Sequence, residues 1–138
     1  MTKPGRVFVD ANVFLRFFTA DDRGQAARAE QLFRRADAGE VALVGGPPVL
    51  FELAWTLRSA YRQSGPQVCD VLSAILSLGG LELTDRAQVE EAVRLARATG
   101  QDFADAYIAA SVPSTRSDEL ATFNRKHFTR LGTPLYSL

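Results

Sequence analysis

Apolar positions along the chain follow two rhythms, and the two alternate. Residues 6–9 (RVFV) form a short β-branched and aromatic run that reads as a buried first strand. Val13, Phe14, Phe17 and Phe18 then fall at helical spacing, so a short helix leaves the carboxyl end of that strand. Ala26, Ala29, Leu32, Phe33 and Ala36 place a helix over 23–38, and Gly39 caps it. Residues 41–44 (VALV) read as a second strand, followed by a Gly45-Gly46-Pro47-Pro48 turn. A helix runs from that turn to about residue 62, with Val49, Leu50, Leu53, Ala54, Leu57 and Tyr61 on its apolar side.

Ser64-Gly65-Pro66 breaks the pattern, and Val68, Val71, Leu72 and Ile75 mark a further helix over 67–78. Gly79-Gly80 ends it, and 81–83 (LEL) is a third short strand. Thr84 or Asp85 caps a helix over 86–99 that carries Val89, Val93 and Ala96, and Gly100 stops it. A helix from near Asp102 reaches about Ser111, where Pro113 blocks extension. Residues 118–123 and 134–136 are expected to supply a fourth and a final short strand. Strands alternating with helices imply an α/β fold with a mostly parallel sheet of four to five short strands, covered on both faces.

The chain has 138 residues, the size of one domain, so residues 1–138 are expected to fold as a single unit. Sixteen basic residues cancel sixteen acidic ones, so bulk charge does not attract nucleic acid or a membrane. Only Lys3 and Lys126 are lysine and the other basic residues are arginine, a bias that suits phosphate recognition but that a GC-rich genome explains more simply. One cysteine, Cys69, excludes an internal disulfide, and one histidine, His127, excludes a multi-histidine metal site. No apolar run is long enough to span a bilayer, and Asp10 and Arg16 interrupt the only apolar stretch near the start. A cytoplasmic protein with no membrane association is the expectation.

Chemistry concentrates where strands end. Asp10 directly follows the first strand, and the carboxyl edge of a parallel sheet is where ligands bind. A helix N-cap explains Asp10 equally well. Glu52 stands about one turn into the helix after the second strand, amid Leu50, Phe51, Leu53 and Ala54, or else on a solvated face. Asp102 and Asp105 lie in QDFADAYIAA at the start of a helix; Asp102 has the better claim to capping and Asp105 to a site. Asn124 follows the expected fourth strand, with Thr122 beside it, and loop chemistry accounts for both as readily.

Carboxylates meeting at one mouth repel. A pair of unit charges at about 4 Å costs about 4 kcal/mol at an effective dielectric of roughly 20. A divalent cation relieves that repulsion. Oxygen ligands without a Cys or His set favour Mg²⁺ or Mn²⁺ over zinc. Such a centre activates water and stabilises charge on a phosphoryl oxygen, which points to phosphodiester hydrolysis.

VFVDANVFLRFF, LFELAWTL around Glu52, DFADAYIAA and LATFNRKHF together resemble the PIN-domain ribonucleases, above all the VapC-like toxins of VapBC-type toxin–antitoxin pairs. The resemblance covers nearly the whole chain in order. It implies a PIN-like three-layer sandwich and a Mg²⁺/Mn²⁺-dependent endoribonuclease. In it, Asp10, Glu52 and Asp105 are catalytic and metal-binding, with Asp102 and Asn124 in secondary roles. Asn124 stands where family members often have a fourth aspartate, which weakens any second metal site. The resemblance also implies RNA as substrate, a homodimer, and a cognate antitoxin whose tail fills the groove.

Asn12, Arg16, Thr122 and Arg125 are candidate RNA contacts, as are Lys126 and His127, though each alone is more simply a surface residue. No partner spacing marks His127 as a general acid or base. Trp55, Phe51 and Tyr61 serve packing more readily than base stacking, and Cys69 reads as a buried structural thiol. Two other functions compete. An aspartyl-phosphate phosphatase would use Asp10 as nucleophile, but the acid–base aspartate it needs two residues on is Asn12 here. A non-catalytic RNA- or protein-binding module would keep the fold without the chemistry.

Overall fold

The computed structural model describes residues 3–138. The element order is β1 (Arg6–Phe8), α1 (Ala11–Thr19), α2 (Arg23–Asp37), β2 (Ala42–Gly45), α3 (Pro47–Ser59), α4 (Gly65–Leu76), β3 (Leu81–Leu83), α5 (Arg86–Thr99), α6 (Phe103–Ser114) and α7 (Arg125–Arg130). The sheet is parallel, in the order β1-β2-β3. Val7 stands opposite Leu43, and Leu43 opposite Leu81. Its central strand carries the fully buried Leu43, as a strand covered on both faces requires.

Among the described residues the sheet has three strands, not four to five. The expected strands at 118–123 and 134–136 shrink to a single bridge between Leu120 and Leu135. Asp118, Glu119 and Ala121 all have poor β propensity, which leaves Leu120 as the one aliphatic anchor. The first strand is also not buried. Arg6, Val7 and Phe8 are exposed and only Val9 is buried, because no strand among the described residues covers the outer edge of β1. Two further differences are local. Helix α6 continues one residue past Pro113, and α7 occupies a stretch where the apolar pattern predicts no element.

The core lies between the sheet and the helices. Phe14, Leu50, Leu53, Leu57, Leu72, Ile75 and Val89 are its largest buried members. Phe33 of α2 stacks on Phe14 of α1 with ring centroids 5.6 Å apart, which fixes α2 along α1. Helix α3 packs against α1, α4 and α6. Gly80 sets the approach to β3. It adopts φ +77, and an added Cβ would collide with the Ala36 carbonyl at the end of α2.

Candidate active site

Strands β1 and β2 are parallel, so the helices that follow them start at one edge of the sheet. Val9 extends the ladder one residue past β1, its N–H donating to the Val44 carbonyl at 2.9 Å. Asp10 comes next and is the N-cap of α1. Its Oδ1 accepts from the Ala11 N–H at 2.8 Å. Capping therefore occupies one carboxylate oxygen, and the side chain remains exposed. Both readings of Asp10 are thus compatible in one residue.

Helix α3 starts at the same edge, on the buried turn Gly46-Pro47. Glu52 lies in its second turn and is exposed. The neighbouring Phe51 ties α3 to α6, with its ring centroid 5.4 Å from that of Phe103 and 5.0 Å from that of Tyr107. Phe103 opens α6, so the first turn of α6 sits beside the second turn of α3. Asp105 is in that first turn. Aromatic packing thus brings the segments bearing Glu52 and Asp105 together, and α1, which Asp10 caps, also packs against α3.

Asp105 is the most enclosed of the three carboxylates, with 24% of its side chain exposed. Its Oδ2 stands 3.2 Å from Nδ1 of His127. The same Nδ1 is 2.9 Å from the side-chain amide of Asn124, and the Asn124 N–H donates to Thr122 Oγ1 at 3.0 Å. Asp105, His127, Asn124 and Thr122 therefore share one corner. His127 donates to the carboxylate when Nδ1 carries its proton, and the amide of Asn124 then presents its oxygen. The sequence offered His127 as a surface RNA contact and gave it no part beside Asp105. Its signal was the Asn124–His127 spacing of three, which is visible only once α7 is known to be helical.

The other candidates divide. Asp102 occupies the N-cap position of α6 without making a side-chain cap bond, and pairs instead with Arg58 Nε at 3.5 Å. Asn12 is exposed in the first turn of α1. Arg16 is engaged inside the fold, donating to Gln25 Oε1 at 2.8 Å and to Asp21 Oδ1 at 3.0 Å. Arg125 is exposed and donates to the Tyr136 carbonyl at 3.3 Å. Cys69 is buried as expected, and burial pushes its thiol up.

The donor set at this edge is three carboxylates, one side-chain amide and one imidazole nitrogen, chemistry that suits a divalent cation. Among the described residues, no three His, Cys, Asp or Glu side chains are already grouped so as to hold a metal ion. Any such centre needs the exposed side chains of Asp10 and Glu52 to turn toward Asp105. No helix among the described residues is long and apolar enough to cross a membrane. A family model described as PIN domain matches residues 7–133. No curated protein matches the chain significantly.

Proposed function

The chain belongs to the PIN-domain family, and from that premise we propose that it is a Mg²⁺- or Mn²⁺-dependent endoribonuclease. Members of this family are typically metal-dependent nucleases. The observation that supports carrying the reading to particular residues is the packing of Phe51 against Phe103 and Tyr107, which joins the stretches of α3 and α6 that carry Glu52 and Asp105, while Asp10 caps α1.

In this reading Asp10, Glu52 and Asp105 hold the cation. A divalent cation bound there supplies an activated water and stabilises charge on the phosphoryl oxygen. Asp105 is held in place by His127, as an outer partner orients a ligating carboxylate. Asn124 and Asp102 act through water or through neighbouring side chains. Asp10 needs only its second oxygen for the cation, because Oδ1 is fixed by the helix start. Asn12, Thr122 and Arg125 line the approach for the RNA. The resemblance to VapC-like toxins extends the proposal to a homodimeric toxin neutralised by a cognate antitoxin.

A non-catalytic binding module draws on one observation, the absence of a ready-grouped set of three ligands among the described residues. Purified protein decides between them. It should cut RNA with Mg²⁺ or Mn²⁺, stop with EDTA, and lose cleavage as Asp10→Asn or Asp105→Asn. Cleavage that survives both substitutions together removes the assignment.

A further inference from the structure

Between α3, α4 and the start of α6 the surface opens into a cavity of about 110 Å³, lined by sequence neighbours of Glu52 and Asp105. Its walls are Phe51, Trp55 and Phe103, its floor includes the buried Val68, and Arg58 and Gln101 add polar groups to its lining. We propose that this cavity is a nucleobase subsite, taking one unstacked base of a single-stranded RNA whose backbone runs across Asp105 and Glu52. The proposal rests on the ribonuclease reading and adds to it the part of the substrate that is recognised.

Three observations select a base as the occupant. The first is size and lining. The cavity is smaller than the roughly 150 Å³ that encloses one benzene ring, so it takes the edge of a flat ring through its open side and leaves the rest outside. The second is Trp55, which is 71% exposed although it is the largest aromatic side chain in the protein. An indole at the mouth of a pocket is a stacking platform for a base of any identity. The third is charge and continuity. Phe51 directly precedes Glu52, and Phe103 opens the turn that carries Asp105, so the cavity and these two carboxylates draw on neighbouring residues of α3 and α6. Arg58 pairs with Asp102 at 3.5 Å with both side chains largely exposed, and such a pair is readily exchanged for a phosphate. The side chain of Gln101 is half-buried and offers both a donor and an acceptor to a base edge.

Trp55 is the only tryptophan, so its emission reports this cavity alone. RNA pentamers are titrated in EDTA while that emission is followed, and cleavage of the same pentamers is measured with Mg²⁺ on the same preparation. One pentamer series carries an abasic site at each position in turn. Intact pentamers should quench the emission saturably, and one abasic position should abolish the quench and weaken binding about tenfold. Gly65 lines the cavity, and an added Cβ there meets open space, so Gly65→Leu adds bulk to the lining without straining the fold. That variant should lose the quench, keep its circular dichroism, and show a raised KM for RNA with kcat retained. Wild type that cuts RNA while its emission ignores every pentamer overturns the subsite and leaves the nuclease standing. So does Gly65→Leu binding as wild type does. Quenching without cleavage keeps the subsite and removes the nuclease, whereas neither signal removes both. If Trp55→Ala halves the mass in solution and abasic and intact strands bind alike, the face joins two protein copies and the subsite is refuted.

Discussion

Asp105→Asn separates chemistry from architecture. The substitution keeps the size and one oxygen of the side chain and removes its charge. What the fold loses is the charged half of a contact with His127 at 3.2 Å, between side chains 24% and 44% exposed. Pairs this open to solvent contribute about 0–1 kcal/mol. The remaining amide oxygen still accepts from His127, so part of that is kept. One negative charge also leaves an edge that carries Asp10 and Glu52. Urea unfolding without metal should therefore shift by less than about 1 kcal/mol, in either direction. Cleavage should behave differently. Changing a partner that merely orients a metal ligand costs about 10- to 100-fold, and loss of a direct ligand costs more, so at least about a hundredfold fall is expected. The two assays are equilibrium unfolding in EDTA and initial cleavage rates with Mg²⁺. A stability loss above about 2 kcal/mol would refute the reasoning, because it would make Asp105 a buried structural acceptor. Unchanged cleavage would refute it from the other side.

His127→Ala should lower cleavage by about tenfold while unfolding moves by less than about 1 kcal/mol, since its task is to orient Asp105; fully retained activity would leave His127 without a role. Gly80→Ala should destabilise by more than about 2 kcal/mol, because it forces a positive φ on an L side chain and drives its Cβ into the Ala36 carbonyl; a denaturation midpoint within error of wild type would contradict this. Asp21 accepts from the Tyr61 hydroxyl at 2.5 Å and also from Thr19 and Arg16, and these partners hold its carboxyl below the usual range. A lowered folded-state value means the stabilisation is present above the usual carboxylate range and is lost as pH falls through the lowered value. The difference in stability between wild type and Asp21→Asn should accordingly be largest near neutral pH and close below about pH 4; a gap that widens on acidification would be inconsistent.

The helices were legible wherever their ends carried strong signals. The glycine after α5 and the proline opening α3 each put a boundary where the chain has one, whereas Ser64-Gly65-Pro66, read as a break before a helix over 67–78, is the capped start of α4 at Gly65. Pro113 misled because in the last turn of α6 it forfeits only the one bond to the Ala109 carbonyl, and the helix ends one residue later. Strands were harder. Val7 and Phe8 are apolar as a buried strand requires, yet they stand exposed, because β1 is an edge strand of the sheet among the described residues, and its place there is set by tertiary packing. Asp10, Glu52 and Asp105 were legible as residues at helix starts. Their company was not, since Phe51 meets Phe103 and Asp105 meets His127 only through tertiary packing.

The central claim is that Asp10, Glu52 and Asp105 bind one divalent cation together. Diffraction from crystals grown with MnCl₂, with data collected at the manganese edge, tests it without recourse to activity. The account predicts one anomalous peak within bonding distance of all three carboxylates, with Glu52 and Asp10 turned toward Asp105. No peak there, or a peak held by other side chains while these three stay apart, would contradict it.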